Sequence, residues 1–205
     1  ASVGLWIAAP FAGLIDGNTL RNGGTGVRYD AAAALSGNTI RHNTVGLVTT
    51  VAGESAGLGF VAGSGIDHLL DNATGIVAMG AQFQQQHVKG GNVGVTGSGI
   101  VGGSTLDLAN HIEGAATGIA AFSGTVQYSR ISGNGVGIEV TPAMGGLKVW
   151  HNLVYRNTTA GLRITGSTDV RIFQNTFYAP SGDNIRIQGG SAAVEVQGNI
   201  LWADG

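Results

Sequence analysis

The sequence predicts an all-β protein, a solenoid in which the chain winds as a parallel β-helix of about nine rungs with three short strands each. Three observations carry that prediction. Glycine accounts for 37 of 205 residues, roughly two and a half times its usual share, while proline numbers only three. Hydrophobic residues still make up 43%, too many for a disordered Gly-rich linker, so the glycines read as tight turns between short buried strands. The chain also repeats itself at about 22 residues, too short a period for a helix pair but enough for three strands and three turns.

The elements follow from the N-terminus onward. Each rung opens with a polar residue and, two positions on, an apolar one. The pairs are Asn18 and Leu20, Asn38 and Ile40, Asp67 and Leu69, Gln86 and Val88, Asn110 and Ile112, Ser129 and Ile131, Asn152 and Val154, Asn175 and Phe177, and Asn199 and Leu201. A Gly-apolar pair comes next, opened by Gly26, Gly46, Gly75, Gly94, Gly118, Gly137 and Gly161, with Asn184 in the eighth place. It lies eight residues after the polar one in the first six rungs and nine in the next two, yet successive positions are 20, 29, 19, 24, 19, 24 and 23 apart. One half of the repeat is nearly fixed in length and the other holds the slack.

Stacked rungs would set equal positions over one another. The polar column is expected to form an amide ladder, as in cross-β stacks, with the residue at plus two filling the core. The glycine column is expected to turn the chain at positive φ, which Gly or Asn adopts cheaply. Asn72 and Asn157 fall in a second turn column, so the sequons Asn72-Ala73-Thr74 and Asn157-Thr158-Thr159 read as structural. At a spacing of roughly 4.8 Å, nine rungs give a rod on the order of 40 Å long.

Units such as "NTIRHNTVGL", "ISGNGVGIEV" and "NLVYRNTTAGLRI" resemble the repeats of right-handed parallel β-helix proteins of the pectate-lyase-like superfamily. The resemblance runs from Gly4-Leu5 to Leu201 and is specific for fold, not for function: the superfamily holds lyases, hydrolases, epimerases, phage tailspikes and adhesins. "GLWI" at residues 4–7 reads as the last strand of an earlier rung and "GNILWADG" at 198–205 as the start of a later one, with no amphipathic cap. Residues 1–205 are therefore expected to form one β-helix domain, a segment of a longer array or one that stacks end to end with copies of itself.

Composition excludes several classes. With a net charge of −2 and 11% charged residues, nucleic acid is not an expected partner. Without cysteine there is neither a disulfide framework nor a thiolate metal site. No apolar run reaches the length of a membrane span. No Gly-rich loop joins a strand to a helix, and no cofactor is expected.

Candidate site residues come from the outward positions beside the core column. One stripe runs Thr19, Thr39, His68, His87, His111, Arg130, Leu153, Thr176, Ile200, and the other Arg21, Arg41, Leu70, Lys89, Glu113, Ser132, Tyr155, Tyr178, Trp202. Together they give a polar centre of His68, His87, Lys89, His111, Glu113 and Arg130 and an aromatic end of Tyr155, Tyr178 and Trp202. Stacked aromatics on a strand face hold sugar rings, and they are also simply favoured in strands. Three histidines on consecutive rungs would share a metal ion, titrate together, or form an ordinary solvated stripe. One rung carries about eight extra residues within "VTTVAGESAGLGFVAGSG", and this insert reads as a packing loop, not a lid.

Catalytic motifs are missing. The "NTD", "DD", "GHG" and "RIK" of polygalacturonases and the "DPH" of alginate epimerases do not occur, and "GIDH" at 65–68 only echoes the "WIDH" of pectate lyases. Lyase chemistry needs a base and a cation, roles that His87, Lys89, His111 and Arg130 have the side chains to fill. The expected function is a structural or adhesive β-helix segment of a large exported or cell-surface protein, with a polysaccharide or cell-surface glycan as partner. The alternative is a polysaccharide-active lyase, hydrolase or epimerase.

Overall fold

The computed structural model describes residues 2–51 and 66–204, and it is a parallel β-solenoid. The 48–65 insert lies largely outside the described residues. Nine parallel strands form a short-strand face: Thr19–Arg21, Thr39–Arg41, Asp67–Leu70, Gln86–Lys89, His111–Glu113, Arg130–Ser132, Leu153–Tyr155, Thr176–Ala179 and Ile200–Ala203. A second face starts at Val3–Ile7 and ends at Asp183–Gln188, again nine strands in sequence order, so the chain completes about eight turns. A third face holds Leu14–Asp16 and Ala34–Ser36, and further along Lys148–Trp150, Thr168–Phe173 and Ala192–Gln197. Between them, Thr74–Phe83, Val93–Val101 and Thr117–Gln127 are long enough to run across two faces. The stretch Gly4–Ile7 does lie in a strand, in register with the rung after it. Among the described residues no helix is long and apolar enough to cross a membrane.

The core forms where three apolar columns meet. On the short-strand face Ile40, Leu69, Val88, Ile112, Ile131, Val154 and Phe177 are register partners, each at most 1% exposed. Val27, Leu47, Ile76, Val95, Ile119, Ile138 and Leu162 make the second column, and Leu35, Phe83, Val101, Val126, Val149 and Ile172 are buried on the third face. Burying each such side chain contributes about 1.5–3 kcal/mol. The expected interior line is present from Ile40 to Phe177, while Leu20 is partly buried and Leu201 is 52% exposed.

So is the amide ladder. The Asn38 backbone N–H and Nδ2 both donate to Asp67 Oδ1 at 2.9 Å, Asn152 donates likewise to Asn175 at 3.0 and 2.9 Å, and Asn175 to Asn199 at 2.9 Å. Each Nδ2 also reaches a main-chain carbonyl, as Asn152 does Val126 O at 2.9 Å. A second ladder follows the strand: Asn43 donates to Asn72, and Asn134 to Asn157. Asn72 and Asn157 are 2% and 1% exposed, which fixes them as structural despite their sequons.

The glycine column needs a correction. Gly26, Gly46, Gly75 and their equivalents do not turn the chain, and none has positive φ. They are close-approach positions in extended backbone. A Cβ on Gly46 would sit 2.6 Å from the Gly75 carbonyl oxygen, and one on Gly75 2.5 Å from that of Gly94. Among the described residues, left-handed ones instead flank the short strands, on both sides in five of the nine and on one side in the other four. On one side stand Gly17, Gly37, Gln85, Tyr128, His151, Gln174 and Gly198; on the other Asn22, His42, Asp71, Gly90, Gly114, Gly133 and Arg156. Where both corners are present the strand is held to three or four residues, and the residues on either side of its core position face outward in a row.

Candidate ligand-binding face

Alternation sets the site. In each short strand the central residue points into the core, so the residues on either side must face out. Register then stacks them: His68 on His87, His87 on His111, His111 on Arg130, and Lys89 on Glu113. The two outer stripes are thus contiguous, as expected.

Contacts within the row are specific. Glu113 Oε1 lies 3.0 Å from His87 Nε2 and 3.4 Å from Lys89 Nζ. A carboxylate only accepts, so Nε2 of His87 carries the hydrogen. His87 Nδ1 faces His68 Nδ1 at 3.0 Å; in the neutral form of His87, whose hydrogen is on Nε2, Nδ1 is the acceptor and His68 the donor. The hydrogen bond from His87, then the charges of His87 and Lys89, hold the Glu113 carboxyl below its ordinary value against the opposing effect of burial.

His111 keeps an edge-to-face contact with His87, ring centroids 6.3 Å apart at 77°, but its Nε2 is directed to Arg130. That nitrogen accepts from Arg130 Nη1 at 3.3 Å, since a guanidinium has only donors. Burial, then the neighbouring Arg130 and His87 charges, lower the His111 pKa below the ordinary imidazole value, and Glu113 only partly offsets this. A three-histidine site is therefore not assembled. Among the described residues no group of three His, Asp, Glu or Cys side chains is placed to hold a metal ion.

At the aromatic end the rings do not form a flat stack. Tyr178 and Trp202 meet at 5.8 Å with a 61° interplanar angle, and Trp202 is 66% exposed. Tyr155 is in register with Tyr178 but shares no ring contact with it among the described residues. The Tyr178 hydroxyl donates to Asp204 Oδ2 at 2.6 Å, which raises its pKa.

Sequence reasoning missed a second surface. Where the third face meets the short-strand face, Tyr128 stacks on His151 at 5.0 Å, and Trp150 leans against both. The Trp150 indole N–H donates to Gln127 Oε1 at 2.8 Å. Beside it a groove of about 500 Å3 is lined by Trp150, Arg171, Phe173, Gln174, Glu195 and Gln197. Tyr128 and His151 are left-handed corner residues, and that column is legible in the sequence only once the corners are placed.

The sequence matches the family described as "Right handed beta helix region" over residues 2–203. No curated protein matches the chain, and no solved structure does.

Proposed function

The chain belongs to the right-handed β-helix family, and from that premise we propose that it is a rigid structural or adhesive segment of an exported or cell-surface protein whose short-strand face contacts an acidic polysaccharide. One observation carries this reading. The outward positions of that face hold Arg21, Arg41, Lys89 and Arg130 with His68, His87 and His111, and Glu113 is the one acid among them, although the chain as a whole is net negative. A straight cationic row on a rigid sheet suits a linear polyanion, and the Tyr178–Trp202 pair at its end offers apolar ring faces to a sugar. The address outside the cell is part of the proposal and rests on the likeness to pectate-lyase-like repeats.

The enzyme reading is weaker on this geometry. A catalytic base needs a free nitrogen, and both nitrogens of His87 and Nε2 of His111 are already engaged. The test measures binding to polygalacturonate and alginate against a neutral glucan. The parent chain is expected to prefer the acidic polymers, and the Lys89→Ala/Arg130→Ala double variant to bind them about tenfold more weakly, roughly 1.4 kcal/mol. Equal retention by parent and variant removes the proposal. Growth of absorbance from unsaturated product in the same incubation, lost on His87→Ala, would replace it with a lyase.

A further inference from the structure

We propose that His68 and His87 form a binding site for a divalent late first-row transition ion, Cu2+ or Ni2+ ahead of Zn2+. The inference stands apart from polysaccharide binding. The two Nδ1 atoms lie 3.0 Å apart on adjacent rungs. Two nitrogens each about 2.0–2.1 Å from one ion are ~2.9 Å apart at a right angle and ~3.3 Å apart at the tetrahedral angle. The pair's separation falls at the square-planar end, the geometry Cu2+ and Ni2+ adopt with nitrogen and oxygen ligands.

Little has to move for an ion to enter. The rings meet edge to face at 76° with centroids 5.2 Å apart. Their terminal torsions are broad, so rotation of the rings is the motion that brings both lone pairs onto one ion. The backbone beneath is rigid, because His68 and His87 are register partners and Leu69 and Val88 anchor their strands in the core.

Glu113 is the second, independent feature. By accepting from His87 Nε2 at 3.0 Å it fixes the tautomer that leaves Nδ1 as a ligand, the carboxylate–histidine–metal arrangement that orients a ligating imidazole. On binding, the His68 proton moves from Nδ1 to Nε2, so both imidazoles ligate as neutral groups. Of the nearest fixed cations, Lys89 is paired with Glu113, and Arg130 stands two rungs from His87. The chain supplies two nitrogens, and water completes the shell.

Calorimetric titration of the full chain with CuCl2 and NiCl2 tests this directly. One ion per chain is expected, with binding lost in His68→Ala and in His87→Ala and unchanged in His42→Ala and His151→Ala. Glu113→Ala is expected to weaken it about tenfold or more. Electron paramagnetic resonance of the Cu2+ form should show two imidazole nitrogens, a readout that needs no variant to fold. No saturable uptake by the parent chain, uptake that survives His68→Ala, or a single coordinated imidazole overturns the proposal.

Discussion

Asp67 shows what one atom does in a ladder. Asn38, Asn152 and Asn175 each use Oδ1 as acceptor for the rung before and Nδ2 as donor onward, but an aspartate has no amide to donate. Asp67 Oδ1 accepts twice from Asn38, whereas Oδ2, fully buried, has no partner of good geometry among the described residues, and Gln86 on the next rung gives only partial relief. Burial therefore raises its pKa, the Asn38 hydrogen bonds opposing. A raised carboxyl favours the folded state when protonated, so its contribution is present below the ordinary aspartate value and lost as pH rises through the folded one. Asp67→Asn is expected to stabilise the chain by about 1–3 kcal/mol at neutral pH and by less in acid. Thermal unfolding at pH 7 and pH 4 checks it. A gain that is absent, or larger in acid, contradicts the account.

At the level of the rung, two kinds of glycine do different work. Gly133 is a left-handed corner, φ 63°, with open space where a Cβ would go. Gly46 is extended, and a Cβ there meets the Gly75 carbonyl and the Asn72 amide at 2.6 and 2.8 Å. Gly133→Ala is expected to cost about 1–2 kcal/mol, the left-handed penalty alone. Gly46→Ala is expected to cost about 3 kcal/mol or more, since a backbone carbonyl in a continuous ladder cannot step aside. Denaturant unfolding of both variants separates the two. Equal losses would mean that close approach does not set the column.

For the molecule as a whole, repetition turns single charges into a field. Neighbouring strands lie about 4.8 Å apart, well within the screening length of roughly 8 Å at physiological salt. Lys89 lies two strands from Arg41 and two from Arg130, roughly 10 Å each way, so the three cations reinforce one another on a bound polyanion only at low salt. Affinity for polygalacturonate is expected to fall steeply as salt rises from about 0.05 to 0.5 M, and less steeply in the Lys89→Ala/Arg130→Ala variant. A flat salt dependence in the parent would point to sugar-ring contact alone.

The sequence by itself determined the solenoid, its core column and its polar ladder. Those features depend on residue type at a fixed spacing, and Ile40, Leu69 and Val88 keep that spacing even where the loops between them change length. It also determined which side chains share the outer row, because alternation in a strand leaves no choice. Tertiary structure decided the rest. Whether His87 hydrogen-bonds to His68 or to His111, whether Glu113 or Arg130 claims an imidazole, and whether a glycine marks a corner or a close approach depend on torsions and on the neighbouring rung's backbone. Linear spacing carries neither. The groove beside Trp150 was illegible for the same reason: its walls come from three rungs whose outward positions become neighbours only after the chain has coiled.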